Sequence, residues 1–142
     1  MADKDYSATP LWKKLGIAAG SHVNVIGAPA HFRSILGTLP DGVRLVDGVP
    51  KSAADVIVVF EKVDAKLAKN FTALKRKLEP AGGLWIAYPK KSSVITTDVT
   101  FDSVQRAGLA AGLVDNKGCA IDADWTGLRF VFRLKDRPKL GR

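Results

Sequence analysis

Between Asp55 and Glu61 the chain runs Val-Ile-Val-Val-Phe, five consecutive apolar residues, four of them β-branched, with no polar alternation. A strand wet on one face alternates apolar and polar side chains. An unbroken run suits a central strand of a parallel sheet, covered on both faces. Covering both faces takes helices above and below, so this segment alone points to a three-layer α/β fold.

The flanking sequence supplies the other elements. Thr9-Pro10 opens a short helix with Thr9 as N-cap, Leu11, Trp12 and Leu15 as its apolar face and Gly16 as its stop. "HVNVIG" reads as a first strand, and Pro29 starts a helix carrying Phe32, Ile35 and Leu36 that Gly37 ends. After the Pro40-Asp41-Gly42 turn, "VRLVD" is a short strand. Leu67, Phe71, Leu74 and Leu78 recur at helical spacing and predict a helix over 65–79, with Asp64 as N-cap and Pro80 beyond the end. A strand over 83–88, a helix capped by Thr100 and closing near Gly112, and strands over 115–122 and 127–134 complete the order. The last two strands, joined by "DADWTG", form an antiparallel hairpin on an otherwise mostly parallel sheet.

A length of 142 residues suits a single domain over 1–142, with flexible ends at 1–8 and 136–142. No stretch approaches the ~18 apolar residues that span a bilayer. The opening "MADKDYSATP" lacks the apolar core of a secretory signal, and Cys119 is the sole cysteine, so no internal disulfide or cysteine-rich metal site forms. The expected setting is cytoplasmic. The net charge of +8 raises the question of nucleic acid as a partner, and residues 129–142 hold six basic residues against Asp136, which is +5 of it. Lys66, Lys69, Lys75, Arg76 and Lys77 add a basic helix face, and "RFVFR" sets Arg129, Val131 and Arg133 opposite Phe130 and Phe132. A solvated face and a solubilising tail account for most such charge, which leaves nucleic-acid binding the least favoured reading.

Three segments resemble a class I methyltransferase, the Rossmann-like fold that binds S-adenosylmethionine. "LWKKLGIAAGSHVNVIGAP" is similar to the leading helix, turn and first strand of such enzymes, "LKRKLEPAGGLWIAYP" to a helix, Pro-Gly-Gly turn and strand, and the last helix and hairpin to their antiparallel end. A closer resemblance is to a family of short uncharacterised bacterial proteins, a domain of unknown function. It is carried by Gly83–Lys91, "GLWIAYPKK", and by "GLVDNKGCAIDADWTGLRF" over 112–130. That resemblance implies a truncated methyltransferase-like fold and a bacterial cytoplasmic setting, and it implies no activity.

Ligands of open α/β sheets bind beyond the carboxyl ends of the strands, so the strand tips carry the site candidates. Gly27 stands alone in "GAPAHF", where a cofactor loop uses several glycines to bring backbone N–H groups to the ligand, and Pro29 removes one donor. Asp47, 20 residues on, ends the second strand where a carboxylate can accept from ribose hydroxyls; Asp-Gly is also an ordinary turn pair. Gly27 and Asp47 are the cofactor-binding candidates. His31, Glu61, Lys90, Lys91, Ser92 and Ser93 are the candidates for a ligand rim. There two ammonium groups and two hydroxyls would hold a phosphate or carboxylate, and a cis Tyr88–Pro89 bond would re-aim the loop. His22 lies at the wrong end of its strand, Asp122 and Asp124 fit the hairpin turn, and Cys119 lacks a neighbouring His or Lys and reads as core. No catalytic residue and no metal site are assigned. The leading reading is a non-catalytic methyltransferase-like domain binding a small anionic ligand or a partner at the rim. The alternatives are an S-adenosylmethionine-dependent methyltransferase with an atypical loop and a nucleic-acid binder.

Overall fold

The computed structural model describes residues 9–137. Six strands form one sheet: β1 (His22–Ile26), β2 (Arg44–Asp47), β3 (Ala54–Phe60), β4 (Leu78–Pro89), β5 (Leu113–Ala120) and β6 (Trp125–Phe132), in the spatial order β2-β1-β3-β4-β6-β5. β1 to β4 run parallel, and β6 is antiparallel to both β4 and β5. The mostly parallel α/β sheet with an antiparallel end is the one expected from sequence. The helices are α1 (Leu11–Lys14), α2 (Phe32–Leu36), α3 (Leu67–Leu74) and α4 (Phe101–Ala110).

Each face of the sheet carries its own core. On one side Leu11, Leu15, Phe32 and Leu36 of α1 and α2 meet Val56, Val58, Trp85 and Trp125. On the other, Leu67, Phe71 and Leu74 of α3 and Val104 of α4 meet Ile57, Val59, Ile86 and Phe130. Alternate residues of the Val-Ile-Val-Val-Phe run thus serve opposite cores, and all five are buried. Within the first of these cores Trp85 Nε1 donates to Leu15 O at 2.9 Å and ties the end of α1 to the centre of the sheet.

Several boundaries move. The helix expected over 65–79 is α-helical only from Leu67 to Leu74, with 3-10 turns at Asp64–Lys66 and Lys75–Lys77. Leu78 keeps the apolar spacing of the helix yet already pairs with Ala54 as the first residue of β4. The segment Pro80-Ala81-Gly82-Gly83 is therefore inside a strand. Between the pairs Ala54↔Leu78 and Val56↔Gly83, β3 advances two residues while β4 advances five, so Glu79–Gly82 bulge out of the ladder. The expected caps at Thr9 and Asp64 are replaced by Pro10 and Val63 at the N-cap positions, and α2 begins at Phe32 rather than at Pro29. Thr100 does cap α4, in a reciprocal box with Ser103. The last two strands lie two residues earlier than expected, because Ile121 N and Asp122 N both turn back to Trp125 O. Asp136 closes a 3-10 turn after β6; residues 1–8 and 138–142, expected to be flexible ends, lie outside the described residues. No described helix is long and apolar enough to cross a membrane.

Candidate functional site

The strand order reverses between β1 and β3, and the crevice outside the carboxyl ends of such a pair is where open α/β sheets place ligands. Here the crevice is floored by aromatic rings. Phe60, the last residue of β3, stacks edge-on with Phe32 on one side and Trp125 on the other, each pair 5.0 Å between centroids. Gly27 turns out of β1 with φ +72°, and a Cβ there would stand 3.2 Å from Phe60 O. Its glycine is demanded by both the positive φ and the approach of β3.

Gly27 and Asp47 line one cavity of about 310 Å³, together with Ala28, Pro29, Arg33 and Gly48. The Asp47 carboxylate is not free, since its Oδ2 lies 3.2 Å from Arg33 Nη2 in an exposed pair. The residues fit an S-adenosylmethionine cradle in part only. An acidic side chain stands at the end of β2, but the loop offers a single glycine, lacks the N–H of Pro29, and carries Arg33 against the ribose acceptor.

A larger cavity of about 660 Å³ lies beyond β4, under residues 89–99 and beside the start of α4. Lys90, Lys91 and Ser93 line it; Ser92 does not. Tyr88–Pro89 is trans, as is every described peptide bond, which corrects the cis expectation. The loop is held instead by the hairpin turn. Lys90 N donates to Asp124 O at 2.8 Å and Ser93 Oγ to Asp124 Oδ1 at 2.9 Å. Most hydroxyls around the cavity are already engaged. Thr97 Oγ1 donates to Lys62 O, Thr126 Oγ1 to Cys119 O, and Thr100 Oγ1 accepts from Ser103 N. The Tyr88 hydroxyl and the two lysine ammonium groups form no hydrogen bond or ion pair with any described residue. Burial pushes the Tyr88 phenol above its ordinary value, so it stays a donor at neutral pH. Pro89, Ile95, Val99 and the half-exposed Phe101 make the rest of the wall.

The other expected rim residues sit elsewhere. Glu61 is spent on structure: Oε2 accepts from the N–H groups of Lys62 and Val63, and Oε1 accepts from Asn70 Nδ2 at 2.8 Å. His31 faces the hairpin, with Nε2 2.7 Å from Asp122 Oδ2. Burial alone would raise the Asp122 carboxyl. The hydrogen bond from His31 and the N–H groups of Trp125 and Asp124 outweigh it and hold the group below its ordinary value. Tyr88 and the wall formed by Thr96, Thr97, Val99, Thr100 and Phe101 were not among the sequence candidates, although a tyrosine ending an apolar strand just before Pro-Lys-Lys is itself a sequence signal.

Three further expectations change. Cys119 is half-buried at the core margin, not isolated: burial pushes its thiol up, and the nearby Lys14 and Lys117 partly offset this. The exposed basic face of "RFVFR" does not form, because Val131 is buried and Arg129 half-buried, leaving Arg133 alone exposed. On the basic helix, Lys75 Nζ donates to Ala111 O at 2.6 Å and closes the end of α4 rather than facing solvent.

The sequence matches the proteins of unknown function grouped as DUF3052 over residues 13–134, most of the chain. The chain belongs to the DUF3052 family. No curated protein matches it in sequence. Solved structures resemble this DUF3052 chain in fold, at low identity. A SAM-dependent methyltransferase from Aquifex aeolicus aligns at a TM-score of 0.60 and 12% identity, covering 91% of this chain and 96% of its own. A TehB-like SAM-dependent methyltransferase from Corynebacterium glutamicum aligns at 0.55 and 11%, covering 93% and 94%. The mitomycin 7-O-methyltransferase MmcR aligns at 0.62 and 10%, covering 80% of this chain; the DUF3052 chain spans about half of it, 49%. At such identities the likeness is one of fold, and the fold is methyltransferase-like.

Proposed function

We propose that this chain is a methyltransferase-like binding domain that takes a small anionic ligand with an apolar body in the cavity under residues 89–99. The observation that carries the reading is the convergence of three unspent polar groups, the Tyr88 hydroxyl and the Lys90 and Lys91 ammonium groups, on one cavity at the carboxyl edge of the sheet. Two cations and a neutral phenol donor complement a phosphate or carboxylate, while Val99, Ile95 and Phe101 complement an apolar or aromatic body. Binding without catalysis is supported by Glu61, the carboxylate at the tip of β3, whose two oxygens are both taken up by hydrogen bonds to Lys62, Val63 and Asn70. A cytoplasmic setting goes with this reading.

Calorimetry with phenyl phosphate, inorganic phosphate and phenol tests it. Phenyl phosphate is expected to bind tighter than either half, with affinity falling about ten-fold or more in Lys90→Ala/Lys91→Ala and by a smaller factor in Tyr88→Phe. Equal affinity in the double variant would overturn the reading.

A second reading, an S-adenosylmethionine-dependent methyltransferase, is favoured by the shared cavity of Gly27 and Asp47. S-adenosylhomocysteine, titrated at a salt concentration that suppresses charge-only binding, separates the two. Micromolar affinity lost in Asp47→Ala would shift the function to methyl transfer; absence of heat is the outcome expected of a fold kept without its cofactor.

A further inference from the structure

The amino edge of the sheet, opposite the rim, holds a cavity of about 460 Å³ lined by Gly16, Ser21, Asp55, the β4 bulge Glu79–Gly82 and Arg129. Three features set it apart from an ordinary gap between strands. The bulge itself makes the room, since three extra residues of β4 leave the ladder here. Bulges of this kind re-aim side chains and concentrate beside functional sites. Gly82 in the bulge and Gly83 after it have ordinary φ values and serve closeness instead. A Cβ on Gly82 would stand 2.7 Å from Asp55 O, and one on Gly83 would run into Arg129 Nε.

Space at Gly83 is what lets the Arg129 guanidinium lie flat across β4 and into the cavity wall. There it is half-buried and forms no ion pair or hydrogen bond with any described residue. Burial, and then the neighbouring Arg137, pull Arg129 below its ordinary value, and Arg137 Nε is itself buried without a partner. An uncompensated, partly desolvated cation is costly. Two carboxylates line the same cavity, yet neither closes on Arg129 to within ion-pair distance. Asp55 Oδ2 accepts from His22 N at 2.8 Å, which fixes that side chain on β3 with Oδ1 still open, and Glu79 has no side-chain partner among the described residues.

Opposite charges that share a cavity without pairing leave room for an occupant that pairs with both. We infer that this cavity binds a small zwitterion of the α-amino acid class, its carboxylate on the Arg129 fork and its ammonium group on Asp55 and Glu79. A planar guanidinium is suited to a carboxylate in two-point contact, and the acidic pair disfavours a plain anion. The Ser21 hydroxyl, whose oxygen accepts from Ala18 N, has its own proton to donate on the same wall. This site is separate from the rim cavity, so its test does not depend on the proposed rim ligand.

The full chain, labelled with ¹⁵N, is titrated with L-alanine, L-serine, L-glutamine and L-leucine, and in parallel with acetate and methylammonium. Saturable shifts are expected at the amides of Gly16, Ser21, Gly82 and Gly83, with at least one amino acid about ten-fold or more tighter than acetate or methylammonium. Gly83→Ala, which pushes the flexible guanidinium aside, and Glu79→Gln are each expected to weaken binding about ten-fold. Silence at these amides with all four amino acids overturns the inference. So does acetate matching the amino acids, which would mark a plain anion site, or undiminished affinity in both variants.

Discussion

His31 Nε2 and Asp122 Oδ2 stand 2.7 Å apart although 91 residues separate them. The contact fastens the loop after β1 to the turn between β5 and β6, over the aromatic row Phe32–Phe60–Trp125. Asp122 has a second task, since its Oδ1 accepts from Asp124 N and Trp125 N and shapes the turn that in turn holds Lys90 and Ser93. His31→Ala should cost about 0.5–1 kcal/mol, in line with a half-exposed pair. Asp122→Ala should cost about 1–3 kcal/mol, because two N–H donors lose their acceptor. Urea melts of the two variants check the order.

The same carboxylate sets an acid limit. Asp122 has a depressed value in the folded chain, so its stabilisation is fully present above the ordinary carboxylate value of about 3.9 and is lost as pH falls through the lower folded value. The stability gap between the parent protein and Asp122→Ala should therefore narrow as the pH drops below about 4. A gap that stays constant or widens below about pH 4 would contradict this. Urea midpoints measured across pH 3–7 decide it.

Gly108 lies inside α4, where alanine would ordinarily gain about 1 kcal/mol of helix propensity. Its missing side chain is occupied by the Phe130 ring, and a Cβ would overlap that ring, which is fully buried and stacked edge-on against Phe71 at 4.8 Å. Overpacking should win. Gly108→Ala is expected to destabilise by about 1–3 kcal/mol net, read from the urea midpoint at unchanged slope.

Trp85→Phe removes the indole donor from Leu15 O in a site with no water access. The orphaned carbonyl and the volume lost should together cost about 2–4 kcal/mol. Release of α1 should also speed amide hydrogen exchange around Leu11–Leu15 beyond the global change.

Lys75→Met keeps the apolar stem and deletes the charge on Ala111 O at the end of α4. A loss of about 0.3–1 kcal/mol is expected by thermal melting. The companion Lys66→Met, on a lysine whose ammonium group makes no hydrogen bond or ion pair with a described residue, should be close to neutral.

How far the sequence was legible follows the range over which each feature is decided. The Val56–Phe60 run, the Thr100 cap and the buried line of Leu67, Phe71 and Leu74 were readable because composition, capping and periodicity act over a few residues. Leu78 was not, since it satisfies the helical stripe and a strand start equally well, and pairing with Ala54 decided it. Pro80-Ala81-Gly82-Gly83 carried every local mark of a turn. In the sheet it is a bulge, its glycines lying close to Asp55 and Arg129 of two other strands.

By itself the sequence determined the α/β class, the two-sided burial of β3, and the grouping of Lys90, Lys91 and Ser93 at the end of a buried strand. All of these are written in contiguous residues. Only the tertiary structure decided which charges stay available. It spent Glu61 on its own loop, Asp47 on Arg33 and Lys75 on the end of α4, and left the side chains of Tyr88, Lys90, Lys91 and Arg129 unpaired among the described residues. The reason is physical. Hydrogen bonds and ion pairs are settled by contact distance, and the partners that claim or spare these groups are mostly brought up by chain closure rather than by neighbourhood in sequence.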